Sequence, residues 1–177
     1  MLPEAVKRLR SNNPQAPDSL NSFTTGMNLI APLITPDTTL LDLSFSSKKK
    51  LFEHAANLFA QTYGLKSSDI FTSLFERERL GSTALGCGIA IPHGRIKGLN
   101  DACGALYRLK TPLEFDAPDN QPVNLCFVLL VPKDANERHL QILGELAQLF
   151  GDDAMRAKML GVANASELIA LLGAWSS

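Results

Sequence analysis

The chain has 177 residues, of which 45% are hydrophobic and 20% charged, and its formal net charge is −1. That length suits one domain built on a single core, and the composition is globular rather than disordered or coiled-coil. With charge so nearly balanced, nothing draws the chain to nucleic acid or anionic lipid, and neither is expected as a partner.

Residues 1–26 differ in character from the rest of the chain. A short helix is expected at Glu4–Arg10, then the polar, proline-containing SNNPQAPDSLNSFTTG, which lacks periodicity and reads as a linker or appended arm. Met27 offers a second start, and the folded unit is expected at 27–177. TTLLDLSF (38–45) alternates as a strand does. Ser46 and Ser47 can cap a helix whose inward positions Leu51, Ala55, Leu58, Phe59 and Thr62 recur at helical spacing until Gly64 stops it. A second helix starts at Ser67 or Ser68, with Asp69 in its first turn, and turns Ile70, Leu74 and Phe75 inward before ending at Leu80.

Glycines at 81, 86, 88 and 94 then interrupt helix in GSTALGCGIAIPHGR. Within it Gly88–Ile91 is a short apolar strand, followed by CGALYRLK (103–110) and the largely buried PVNLCFVLLVP (122–132), with the turn-rich TPLEFDAPDNQP between them. Helices are expected at 137–150, with Leu140, Leu143, Ala147 and Phe150 on the inner face, then at about 152–160 and at 166–172. Asn164 with Glu167 makes a capping-box-like start for the last. Strands in mid-chain with helices on both sides predict an α/β fold, a mixed sheet sandwiched between helices.

The cysteines, Cys87, Cys103 and Cys126, are odd in number, widely spaced and free of C-x-x-C pairing, which argues against disulfides and structural zinc and for a reducing compartment. The longest apolar run, VNLCFVLLV, is about half of the roughly twenty residues a membrane helix needs. MLPEAVKRLRSNNPQAPD has no signal-peptide core. A cytoplasmic protein without membrane insertion is expected.

The glycine-rich segment offers unhindered N–H groups and the hydroxyls of Ser82 and Thr83, which suit an anion with several acceptor oxygens. It is not a P-loop, because no Gly-Lys-Ser/Thr follows the glycines, and the dinucleotide fingerprint fails for want of its third glycine. That leaves His93 in GIAIPHGR, at the mouth of an apolar strand. Imidazole is largely neutral at cell pH and can attack a phosphoryl group directly. Pro92 stiffens the backbone before His93, and Gly94 removes a side chain behind it. His139, in the first turn of the helix after VPKDANER, is the second candidate: a helix N-terminus disfavours imidazolium, so a neutral His139 can donate to a phosphoryl oxygen. Each histidine also has a plain structural reading, which is the one accepted for His54. Arg77, Arg79 and Arg95 read equally well as solvated surface, and Ser82 and Thr83 as turn formers. Cys87 precedes His93 by six residues, yet no acidic or cysteine partner follows at ligand spacing, so neither metal nor cofactor is expected.

RERLGSTALGCGIAIPHGR (77–95), with the later TPLEFDAPDNQPVNLCFVLLVP, resembles the IIA domains of the bacterial phosphoenolpyruvate-dependent sugar phosphotransferase system. The likeness is to the mannitol/fructose class and, within it, most to the nitrogen-regulatory branch, over about 27–175. It implies a mannitol/fructose-type IIA fold and phosphorylation of His93 on Nε2 by an HPr/NPr-type phosphocarrier protein. It further implies that His139 and Arg77 belong to the active site, and that the phosphorylation state regulates cytoplasmic proteins or kinases in nitrogen, carbon or potassium control. Two alternatives stay open: a sugar-specific IIA component that passes phosphate to a IIB domain, and a binding module that never carries phosphate. Cys87 departs from the polar or acidic residue usual at its position.

Overall fold

The computed structural model describes residues 28–134 and 136–176. The arm expected at 1–26 lies outside them. Strand β1 (Thr39–Leu43) leads to helices α1 (Lys48–Tyr63) and α2 (Ser67–Leu80), then to β2 (Ala84–Gly86), β3 (Ile89–Ala90), β4 (His93–Ile96), β5 (Cys103–Leu113) and β6 (Val123–Pro132). Helices α3 (Glu137–Gly151), α4 (Asp153–Gly161) and α5 (Ala165–Ala174) come last. The sheet runs β1-β5-β6-β3-β2, with β4 also on β6. Pairing is parallel for β1/β5, β3/β6 and β4/β6 and antiparallel for β5/β6 and β2/β3, so the sheet is mixed, as expected.

Strand alternation divides the core. Along β6, Cys126, Val128 and Leu130 pack on the α1–α2 side while Leu125, Phe127, Leu129 and Val131 pack on the α3–α5 side. Both faces are covered, and β6 is therefore apolar almost throughout. Where β5 crosses β6, a Cβ on Gly104 would stand 2.6 Å from the Phe127 ring, so this glycine lets the ring fill the core.

Local chemistry sets the helix ends. Ser47 accepts from Lys50 N–H at the start of α1, and Gly64 ends that helix in the left-handed region at φ 67°. Asn164 accepts from Glu167 N–H as expected. Strand β2, and β4 as a strand of its own, are too short to stand out in the sequence pattern.

Four inward assignments need correction. Thr62 is exposed, with its hydroxyl on the Leu58 carbonyl at 2.8 Å, and Phe75 is 38% exposed, stacked on Phe71. On α3, Leu140 is 71% exposed and Ala147 is exposed; Ile142, Leu146, Leu149 and Phe150 face the sheet instead. This helix carries apolar residues on two adjacent stripes, and helical spacing does not say which of them meets the sheet.

Candidate functional site

Strands β3 and β4 keep one register on β6: Ile89 pairs with Leu125 and His93 with Leu129. The offset does not change across Ile91-Pro92, so they are one strand interrupted where proline has no N–H to give. The Pro92 carbonyl still accepts from Leu129 N–H at 2.8 Å. His93 thus opens β4 on a backbone fixed to the sheet centre.

Helix α2 covers the outer side of β4. The Ser73 hydroxyl accepts from Arg95 N–H at 2.9 Å and lies 3.1 Å from the Arg95 carbonyl, which it can donate to in turn. That approach requires Gly94, because a Cβ there would sit 2.5 Å from Ser73 Oγ. The glycine beside the histidine is a packing requirement as well as an opening.

The His93 ring is half-buried, and its Nδ1 lies 2.9 Å from the Ile91 carbonyl. A carbonyl only accepts, so Nδ1 carries the hydrogen and Nε2 keeps its lone pair. Burial holds the ring below its ordinary value near 6.5, and the Arg77 and Arg95 charges push the same way, while the Ile91 hydrogen bond and Glu78 oppose. Near neutral pH His93 is an uncharged imidazole with an available nitrogen.

His139 has the opposite arrangement. It is the third residue of α3, and its Nδ1 accepts from Asn136 N–H at 2.8 Å, closing a capping box with the Asn136 side chain. Nε2 of the neutral ring must then carry the hydrogen. Partial burial, Arg95 and Arg138 keep this ring below its ordinary value as well.

Both rings line one open cleft of about 790 Å³. Arg77, Arg79 and Arg95 share its walls, and Leu80, Leu129, Leu140 and Leu143 supply apolar surface. Among the described residues none of these three arginines forms an ion pair; Arg77 donates to the Gly81 carbonyl at 2.9 Å. A base, a neutral donor and positive charge are therefore gathered in one place. Such a cleft suits a phosphoryl group presented by a large partner.

Of the residues singled out from sequence, His93, His139, Arg77 and Gly94 come together here. Ser82 and Thr83 do not line the cleft: the Ser82 hydroxyl donates to the Phe115 carbonyl, and Thr83 donates to Glu78 through Oγ1 at 2.6 Å and N–H at 3.1 Å. Cys87 is exposed in the β2–β3 turn at φ 54°, its N–H on Asp119 Oδ2 at 2.8 Å. Arg95 is more than solvated surface, and strand alternation, which places it on the same side as His93 two residues earlier, is the signal that could have found it. His54 bonds Tyr107 Oη at 2.9 Å, away from the cleft. Among the described residues no group of three or more His, Cys, Asp or Glu could hold a metal ion, and no helix is long and apolar enough to cross a membrane.

Comparison with known proteins shows the family of the chain. The model of the family "Phosphoenolpyruvate-dependent sugar phosphotransferase system, EIIA 2" matches residues 32–174. The chain belongs to this family. It is 39% identical over 137 residues to the nitrogen regulatory protein of Pseudomonas aeruginosa, covering 77% of this chain and 89% of that one. The corresponding protein of Bradyrhizobium diazoefficiens is 36% identical over 143 residues, 81% of this chain and 94% of its own. The crystal structure of nitrogen regulatory protein IIA-Ntr from Neisseria meningitidis superposes with TM-score 0.78 at 44% identity, over 82% of this chain and 99% of that one. The IIA mannitol structure from Escherichia coli, at 18% identity and TM-score 0.67 over 78% of this chain and 98% of that one, shares the fold.

Proposed function

We propose that this chain, with 27–177 as its IIA unit and 1–26 as an appended arm, is a phosphohistidine carrier. His93 receives a phosphoryl group from an HPr/NPr-type phosphocarrier. The observation that carries this reading is the pair of complementary tautomers in one cleft: His93 presents a lone pair on Nε2 and His139 a hydrogen on Nε2. In the transfer, His93 Nε2 forms a bond to phosphorus while the bond from phosphorus to the carrier's imidazole nitrogen breaks, and that nitrogen keeps the electron pair. The Ile91 carbonyl stabilises the positive charge that develops on the His93 ring through Nδ1–H. His139 Nε2–H donates to an equatorial oxygen, and Arg77 and Arg95 offset the charge of the group in flight. Exposed Leu80 and Leu140 give the carrier an apolar seat around the acceptor.

Once loaded, the site holds up to about two negative charges beside those arginines, which changes what docks there. Similarity to the nitrogen regulatory proteins supports a regulatory output. Intact-mass measurement after mixing with phosphoenolpyruvate, the system's first enzyme and the carrier tests the reading. Wild type gains one acid-labile phosphate and His93→Ala gains none. Equal labelling of His93→Ala would remove His93 from its place, and onward transfer to a IIB domain and sugar would favour a sugar-specific component.

A further inference from the structure

The residue after Arg77 is a carboxylate that the transfer itself does not use. Glu78 is 9% exposed, in the last turn of α2, a helix end that disfavours negative charge. A buried acid in such a place needs compensation. Lys48 supplies part of it, with Nζ 3.1 Å from Glu78 Oε1 and 2.8 Å from Asp116 Oδ2. Thr83 supplies the rest, donating both its hydroxyl and its N–H to Oε2.

The line of contacts continues to the acceptor. The Thr83 carbonyl accepts from Ile91 N–H at 3.0 Å, and the Ile91 carbonyl faces His93 Nδ1 at 2.9 Å. Pro92 lies between Ile91 and His93 and contributes no N–H, so the Ile91 carbonyl is held through its neighbours, by the Thr83 bond to Ile91 N–H on one side and the Leu129 bond to the Pro92 carbonyl on the other. Five residues, Lys48, Glu78, Thr83, Ile91 and His93, are thereby joined in series from the start of α1 to the start of β4.

We propose that buried Glu78 is a positioning residue for phosphoryl transfer, holding Thr83 and through it the Ile91 carbonyl that keeps the hydrogen on His93 Nδ1. The inference rests on His93 being the acceptor, but its structural half does not need phosphate. Loss of the Glu78 anchor frees Thr83 and the Ile91 peptide to turn. The Nδ1–H tautomer then loses its advantage, and Nε2 carries the hydrogen in part of the population. Only the other part can attack phosphorus.

Two variants test this, each in the full chain: Glu78→Gln, which removes the charge, and Thr83→Val, which removes only the hydroxyl and leaves the Glu78–Lys48 ion pair in place. Imidazole nitrogen NMR reads the His93 and His139 tautomers without phosphate, and rapid-quench labelling by the phosphorylated carrier reads kcat and KM. In both variants His93 should shift toward Nε2–H while His139 keeps its wild-type signals. The labelling kcat should fall by on the order of tenfold with KM little changed, the size expected of a misplacement short of the full effect of losing alignment. Unchanged His93 tautomers and kcat in a folded Thr83→Val chain would overturn the proposal, as would a fall in kcat with no tautomer change. A tautomer shift in the variants together with no labelling of wild-type His93 would uphold the positioning role and defeat the carrier reading, so the two fail separately.

Discussion

The two histidines of the cleft stand on supports of unequal rigidity. His93 sits on a strand tied to β6 on both sides of Pro92, backed by α2 through Ser73, with its Nδ1 on a carbonyl. His139 sits in the first turn of α3, between exposed Asn136 and exposed Leu140, with its Nδ1 on an N–H. The same ring is made an acceptor in one place and a donor in the other, solely by the backbone group that meets Nδ1. A nucleophile gains from a fixed line of attack, whereas a donor to any of several equatorial oxygens tolerates adjustment. In the proposed transfer, the more firmly tied support carries the attacking group.

The helix half breaks most visibly in kinetics. His139→Ala should slow labelling on the order of 100-fold, as loss of a preorganised donor does, and should lower stability by about 1 kcal/mol through the lost cap. His139→Gln keeps a capping-box side chain, so thermal melting should return to near the wild-type value while labelling recovers only in part. Full recovery of labelling would mean that the helix needs any cap and the reaction needs no imidazole there.

The strand half should break in stability. Gly94→Ala drives a Cβ against Ser73 Oγ and should cost about 1–3 kcal/mol in urea unfolding. Ser73→Ala alone should cost about 0.5–1.5 kcal/mol by stranding the Arg95 backbone groups. Combined, the two should cost less than their sum, because the second removes the atom that the first strikes. Additivity would show that the close approach is not what fixes this glycine.

The smallest effect is with pH. His93, His54 and His139 all titrate below their ordinary value near 6.5, chiefly through burial. The unfolded chain therefore takes up protons first as pH falls, so the histidine contribution is complete above about pH 6.5 and is lost below it. Urea midpoints from about pH 7.5 down to 5 should decline, and His93→Asn should flatten that decline more than His139→Asn, since His93 is the more buried ring. The opposite order would place the greater desolvation on the helix.

The sequence carried the sandwich and pointed to the two cleft histidines because strands, caps and the GIAIPHGR segment are local statements. It could not carry the tautomers, since the partners of both rings are set by how the chain folds back on itself. Ser82 and Thr83 have the chemistry of phosphate ligands but spend it on Phe115 and Glu78. Glu78 looks like one more surface charge in RERL because Lys48, its partner, is thirty residues away. Leu140 fits the inner stripe of α3 by spacing alone, and its exposure places it on the cleft rim instead. Arg95, which reads as solvated surface, stands on the cleft wall, on the same side of β4 as His93 two residues before it.

The Ser73 hydroxyl that closes the Arg95 rung has a bearing on recognition. With Ile91 N–H taken by Thr83 and both Arg95 backbone groups met by a side chain, the outer margin of β4 offers no continuous ladder to an incoming peptide. At this margin, recognition of the proposed carrier rests on the shape and charge of the opening around His93. Strand addition, by which one chain seizes the edge of another, is closed off beside His93.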